Sequence, residues 1–257
     1  MDAIARLKNA RVRDYVYSRL FTGGGTSKQT AAGRFQDLDA ITLSLVHNDK
    51  MNVVHDIAVS SGVTSLELLS LLRGCGRPVS LHISDKYANY VAAGRGLVSI
   101  LDADGALVEM YLCGVLAKRD VSKYFVLTRL LYWLLAHAGS RTPQKPFVLF
   151  DPEVIEQIEH GSIQQIRYDV FETALPPTFT FVRCMNLLNL DRFSSSKLTH
   201  ALRNIVASLH IGGVLQIGRT MTDGANMASF YLKTDQGLKL LQDVGNGTEL
   251  RDLLEVL

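Results

Sequence analysis

Residues Val53 to Leu68 constrain this chain more than any other stretch. Val53-Val54-His55-Asp56-Ile57 is an apolar run carrying an acid near its end. The small residues Ala58-Val59-Ser60-Ser61-Gly62 follow, then Val63-Thr64-Ser65-Leu66-Glu67-Leu68. A short β-rich run, a turn of small residues and a helix-spaced segment predict strand, tight turn and helix. Thr64-Ser65-Leu66-Glu67 fits a capping box, with Leu68, Leu69 and Leu72 as the buried stripe and Gly74 and Gly76 as the stop. Twenty-nine positions beyond Asp56, the apolar run Val79–Ser84 ends at a second acid, Asp85. Two strands joined by a helix, each with an acid near its end, describe a nucleoside crevice at the carboxyl ends of parallel strands.

The rest of the chain alternates in the same way. Residues 1–20 read as a helix broken by Gly23-Gly24-Gly25, and 33–48 as another. Gly-Gly-Gly-Thr-Ser-Lys-Gln-Thr lacks phosphate-loop spacing and no strand precedes it, so it reads as a loop. Residues 86–146 interrupt the alternation. Gly96–Leu101 and Ala106–Leu112 flank Asp102-Ala103-Asp104-Gly105, a hairpin signal. Tyr124–Ala138 is a helix-length segment apolar nearly all round. Such a helix needs burial, a second copy of the chain or a bilayer surface against it.

The alternation then resumes. Pro152–His160 reads as a helix, Ile163–Tyr168 as a strand leading into Asp169, and Thr178–Arg183 as a strand. Lys197–Leu209 is an amphipathic helix, His210–Gly213 a turn, and Val214–Ile217 and Ser229–Leu232 are strands. Leu238–Leu241 and Thr248–Leu257 read as helical. Strand and helix in alternation predict a mainly parallel sheet.

Bulk properties narrow the function classes. Hydrophobic residues make up 47%, enough for a sizeable core. The net charge of +2 and the lack of a basic, aromatic-interleaved stretch argue against a nucleic-acid partner. Arg6, Lys8, Arg11, Arg13, Arg19, Lys28 and Arg34 make the start more basic, which reads as a solvated helix face. Cys75, Cys113 and Cys184 are dispersed, with no Cys-x-x-Cys pair, so neither a disulfide framework nor a metal site is indicated. The longest greasy segment contains Arg129 and is short for a bilayer span, so no transmembrane segment is expected. These features together predict a cytoplasmic location.

Asp56-Ile57-Ala58-Val59-Ser60-Ser61-Gly62 resembles the first motif of class I S-adenosylmethionine-dependent methyltransferases: an apolar strand, an acid, then Gly-x-Gly-x-Gly. Ala58 and Ser60 stand at two of the glycine places and Gly62 at the third. The segment Thr180–Phe193 is similar to the Cys-Arg-Asn-x-Leu segment of chemotaxis-receptor glutamate methyltransferases. Leu209–Gly218 is similar to their Leu-x-Pro-Gly-Gly-x-Leu turn. Asn186 aligns with their asparagine, Met185 replaces an arginine, and Ile211 replaces the proline. The likeness covers roughly 50–85 and 147–235 and carries the core fold, not the receptor substrate.

The resemblance implies an α/β, Rossmann-like, doubly wound, mainly parallel seven-stranded sheet. N-terminal helices over 1–50 would cap it, and 51–257 would form the core, with a hairpin-plus-helix insertion at 86–146. The cofactor implied is S-adenosylmethionine. Asp56, Ala58, Ser60 and Gly62 would line its amino-acid end, and Asp85 would accept the ribose hydroxyls. Asp169 would take the adenine amino group, Val170 and Phe171 would pack on the ring, and Asn186 would lie beside the methionine part. Gly62→Val is expected to fold but not to bind.

The activity implied is methyl transfer to a small-molecule acceptor. Two alternatives stand beside it: a methyltransferase-derived module that binds a nucleoside or a protein without transfer, and a nicotinamide-dependent oxidoreductase. The second lacks its Gly-x-Gly-x-x-Gly. No catalytic pair is visible; His55, His82, Tyr87, Tyr168 and Arg219 are candidate pocket residues. The apolar insertion would suit a homodimer contact.

Overall fold

The computed structural model describes residues 32–86 and 150–257, together with the backbone of five strands between 89 and 148. In chain order the elements are α1 (Gln36–Leu45), β1 (Asn52–Ile57), α2 (Val63–Gly74), β2 (Val79–Ser84), β3 (Asn89–Ala93), β4 (Leu97–Asp102), β5 (Leu107–Leu112), β6 (Val115–Lys118) and β7 (Lys145–Val148). Then come α3 (Pro152–Glu159), β8 (Ile163–Gln165), β9 (Phe179–Met185), α4 (Ser195–Ala207), β10 (Leu209–Thr220), β11 (Asn226–Thr234), β12 (Gly237–Val244) and α5 (Arg251–Leu254). Two compact units result: Ala31–Lys86 with Pro152–Leu257, and a second that contains β3 to β7.

The first unit is a seven-stranded mixed sheet with flanking helices, in the order β12-β11-β10-β9-β1-β2-β8. β1 pairs in parallel with β2 and β9, β2 with β8, and β9 with β10. β10–β11 and β11–β12 are antiparallel. From β1 the chain steps outward to β2 and β8, then returns to the other side of β1 at β9. The strand order therefore reverses between β1 and β9, which makes a topological switch point at their carboxyl ends.

Successive strand residues face opposite sides, and the sequence fills both. Val182 and Cys184 of β9 pack with Ile57 and with Leu198, Ala201, Leu202 and Ile205 of α4. Phe181 and Arg183 alternate with them on the other side, where Arg183 reaches Asp39 of α1. A strand buried on both sides reads as a continuous apolar run, as β1 and β9 do.

Four local expectations are corrected. Leu238–Leu241 is not helical: it lies in β12, paired antiparallel to β11. The predicted strand Ile163–Tyr168 pairs with β2 only over Ile163–Gln165. The capping box does not form: Gly62, at φ +80°, is the N-cap of α2, and no side chain caps the helix. The turn His210–Gly213 is a register irregularity inside β10 rather than a break between elements.

The second unit contains an antiparallel sheet in the order β6-β5-β4-β3-β7. The hairpin foreseen around Asp102–Gly105 is its β4–β5 pair, in which Ile100 opposes Glu109. The three further strands were not foreseen. Residues 1–31, Tyr87 and the predicted helix Tyr124–Ala138 lie outside the described residues, and with them the expected homodimer contact.

Candidate functional site

The loop after β1 continues the ladder to β2 before it turns. Ala58 N–H and Val59 N–H both donate to Ser84 O, at 2.7 and 3.3 Å. The backbone then adopts left-handed values at alternate residues: φ is +60° at Ala58, +58° at Ser60 and +80° at Gly62. These are the three positions of the glycine pattern. For an L-residue the left-handed region costs roughly 1–2 kcal/mol, so Ala58 and Ser60 hold a backbone shape for which glycine is the default residue. The third non-glycine residue with positive φ among the described residues is Asn186, at +61°. It ends β9, on the other side of the switch point.

Asp85 braces this loop. Its Oδ2 accepts the Ser60 N–H at 2.8 Å, which ties the loop after β1 to the end of β2. Asp85 is half-buried at the sheet end. Asn186 Oδ1 accepts Thr220 N–H at 2.7 Å, and its own N–H donates to Gly218 O at 2.9 Å. Asn186 thus pins the end of β9 to β10 while its side chain remains exposed.

Asp56 does not face open space. It is 4% exposed. Arg183 Nε donates to its Oδ1 at 3.0 Å, and Arg183 Nη2 and the Ser65 hydroxyl donate to its Oδ2 at 2.5 and 2.6 Å. A carboxylate with three donors inside the fold is a positioning group: it fixes β1, β9 and α2 around the loop.

Gly62 is also confined by the protein itself. A Cβ added there would meet Val154 Cγ1 and Cγ2 of α3 at 3.0 and 3.1 Å. The expectation that Gly62→Val would fold normally is therefore overturned: the left-handed backbone and Val154 both oppose a side chain.

Asp169 lies past the end of β8. Its Oδ1 accepts Phe171 N–H at 3.0 Å in a local turn, and its Oδ2 takes Lys86 Nζ at 2.6 Å. Val170 is 3% exposed within the core beside α4, and its carbonyl accepts Asn204 Nδ2 at 2.8 Å. The Val170 side chain thus packs into that core. Phe171 stands 4.8 Å from the ring of Phe193, with Lys197 Nζ 4.6 Å above it.

The other candidate residues separate. His55 is fully buried, with Nε2 2.8 Å from the Ser84 hydroxyl and its ring 5.2 Å from that of Tyr168. Burial, helped by His82, pushes His55 down to about 3, so it stays neutral and is no proton carrier near pH 7. Burial also pushes the Tyr168 hydroxyl upward and His82 downward. Arg219 is taken up by Asp191 and Glu249 on the surface, at 3.3 and 3.1 Å. Among the described residues, no group of three His, Cys, Asp or Glu could hold a metal ion, and no helix is long and apolar enough to cross a membrane.

Arg183, Asp39, Ser65 and Lys86 were missed from sequence. The signal for the first was present: an arginine inside the apolar run Thr180–Met185 must find a buried partner. Asp56, an acid in the neighbouring apolar run, supplies one.

No protein-family model matches the chain, and no curated protein matches it. Solved structures do. The PH0226 protein from Pyrococcus horikoshii OT3 is 10% identical, with a TM-score of 0.39, over 87% of this chain and 79% of that one. The S-adenosylmethionine-dependent methyltransferase SibL is 11% identical, with a TM-score of 0.34, over 74% of this chain. The CMeT domain of the citrinin polyketide synthase is 12% identical, with a TM-score of 0.38, over 82% of this chain. The matched region covers 38% and 40% of the latter two chains.

Proposed function

We propose that the crevice at the switch point binds S-adenosylmethionine and that the chain transfers its methyl group to a small-molecule acceptor. One observation carries this reading: Ala58, Ser60 and Gly62 hold left-handed backbone at alternate positions, beside Asn186 on the facing loop. Two of those residues adopt that shape against their intrinsic preference. Strain of this kind concentrates where a loop must present its backbone to a ligand.

In this reading the loop Ala58–Gly62 receives the amino-acid end of the cofactor, Asp85 the ribose and Asp169 the base, with Phe171 as the apolar wall. Asp56 and Asn186 shape the site from behind. When bound, the cofactor supplies a methyl group already activated on sulfonium. The protein's task is then alignment and exclusion of water rather than proton transfer. A buried, neutral His55 fits that division of labour.

A second reading, a methyltransferase-derived module that binds its nucleoside weakly and without transfer, is favoured by the Lys86–Asp169 ion pair. That pair must open for Asp169 to meet a base, and it costs affinity. Calorimetric titration with S-adenosylmethionine, followed by assay of the complex for methyl transfer to small molecules of a cell extract, tests both. Saturable binding with transfer supports the first reading, binding alone the second, and no binding overturns both.

A further inference from the structure

Gly33 and Arg34 precede α1 and fasten to both sides of the switch point. Gly33 N–H donates to Glu67 Oε1 of α2 at 2.7 Å, and Arg34 Nε donates to Thr220 Oγ1 at 3.0 Å. Glu67 stands in the second turn of α2, which follows β1, and Thr220 ends β10. In the sheet β9 lies between β1 and β10. Two consecutive residues therefore bridge from the helix after β1 to the carboxyl end of β10, past the end of β9. The Arg34 carbonyl accepts Asn226 Nδ2 at 2.9 Å, and the Thr220 hydroxyl donates to Asn226 Oδ1 at 2.8 Å. Thr220 N–H in turn holds the Asn186 side chain at 2.7 Å. Thr220 thus joins this segment to a residue at the switch point itself, within one compact unit.

The segment has an anchored end. Phe35 is 6% exposed, with the Arg183 guanidinium 5.3 Å from the centre of its ring. Gly33 and Arg34 are half-buried and fastened by hydrogen bonds to side chains. Such bonds exchange for bonds to water at modest net cost, which makes them suited to opening. Gly33 sits at φ +75°, in the left-handed region that glycine enters most readily, and provides a pivot. We infer that Gly33-Arg34 is a strap across the mouth of the crevice, that a nucleoside ligand enters and leaves when the strap lifts, and that the Thr220 hydroxyl is its latch. This rests on the function proposed above and adds the step that sets the rate of ligand exchange.

The test uses the full chain, S-adenosylhomocysteine as the probe and stopped-flow measurement of its binding and release. Thr220→Val keeps the size, the β-branch and the N–H that holds Asn186, and loses both hydroxyl bonds. Entry and release should both quicken at least about fivefold, the smallest change expected from two lost hydrogen bonds, while Kd moves less than about twofold. Amide exchange at Gly33 in the ligand-free protein should quicken with them. Thr220→Ser, which restores the hydroxyl, should return the rates of the unaltered protein. Glu67→Ala frees the other end of the strap and should act as Thr220→Val does, which keeps the test decisive if the valine variant misfolds. Unchanged rates overturn the inference, and so does a serine variant that behaves like the valine one. Faster release with a matching loss of affinity and no faster entry overturns it as well, since that marks a direct contact with the ligand. If the unaltered chain binds no S-adenosylhomocysteine, the functional reading fails and the gate with it, a result distinct from unchanged rates on a binding parent.

Discussion

Asp56 and Arg183 oppose each other in register on the adjacent parallel strands β1 and β9, and two hydrogen bonds of 3.0 and 2.5 Å join their side chains. These strands flank the switch point. The pair therefore fixes the spacing of the loops that form the proposed crevice. Arg183 is wholly buried, donates a third bond to Asp39 of α1 at 2.9 Å, and lies 5.3 Å from the centre of the Phe35 ring. Through this one guanidinium, α1 is fastened to the strands that carry the site.

Breaking such a pair from one side leaves an uncompensated buried charge. Arg183→Met strands Asp56 and Asp39 together and should cost about 3–5 kcal/mol of stability. The double variant Asp56→Asn with Arg183→Met should lose clearly less than the sum of the two single losses. Urea denaturation of the four proteins measures the coupling, and additive losses would show that the pair is not an energetic unit.

The pH dependence of stability should have two opposed parts. Burial raises Asp39 to about 6 from 3.8, and the neighbouring Arg183 only partly offsets this. A raised acid contributes stability below its unfolded value and loses it as pH climbs through the folded one. Relative to Asp39→Asn, the unaltered protein should weaken between about pH 4 and 6. The change is of order 1–3 kcal/mol, at about 1.4 kcal/mol for each unit between folded and unfolded values. His55 is held low, so its contribution is present above pH 6.5 and is lost as pH falls toward 3. His55→Gln should flatten the acid limb. Denaturation from pH 3 to 8 separates the two, and an unchanged profile in either variant would refute its assignment.

Gly62 should prove intolerant of any side chain for reasons internal to the fold. Gly62→Ala forces Cβ onto Val154 at a φ of +80° and should cost about 1–3 kcal/mol. Adding Val154→Ala should recover only the part due to contact, leaving the backbone part. Melting curves of the single and double variants check this. Full recovery would place the whole cost in packing.

The β1–α2–β2 unit was legible because its apolar runs, small-residue turn and helix spacing all agree. The same held for β9, for α4 and for the Val214–Ile217 part of β10. β12 was misread because Leu238-Lys239-Leu240-Leu241 contains good helix formers, and only pairing with β11 shows that they form a strand. The sheet of β3 to β7 was only partly legible, since non-local pairings leave little trace beyond the tight hairpin. At the site, the positions of Asp85 and Gly62 followed from spacing. The inward turn of Asp56 did not, because the sequence does not show which buried charge meets which. Nor does it show that Ala58 and Ser60 keep a glycine-like backbone.

Asp85 should matter twice over. Asp85→Ala removes the acceptor of the Ser60 N–H and the proposed ribose contact, each worth about 1.5–3 kcal/mol as a bond to a charged group. Affinity for S-adenosylmethionine should fall at least tenfold, and amide exchange at Ser60 should quicken in the free protein. Faster exchange with unaltered affinity would confine Asp85 to bracing the loop.

The central claim is that a nucleoside cofactor lies across the carboxyl ends of β1 and β9. The most direct test is a crystal structure of the chain with S-adenosylhomocysteine. The account predicts the ligand's amino-acid end against Ala58–Gly62, with its ribose within hydrogen-bond reach of Asp85. A ligand bound elsewhere, or a loop that abandons its left-handed turns at Ala58 and Ser60 when the ligand binds, would contradict it.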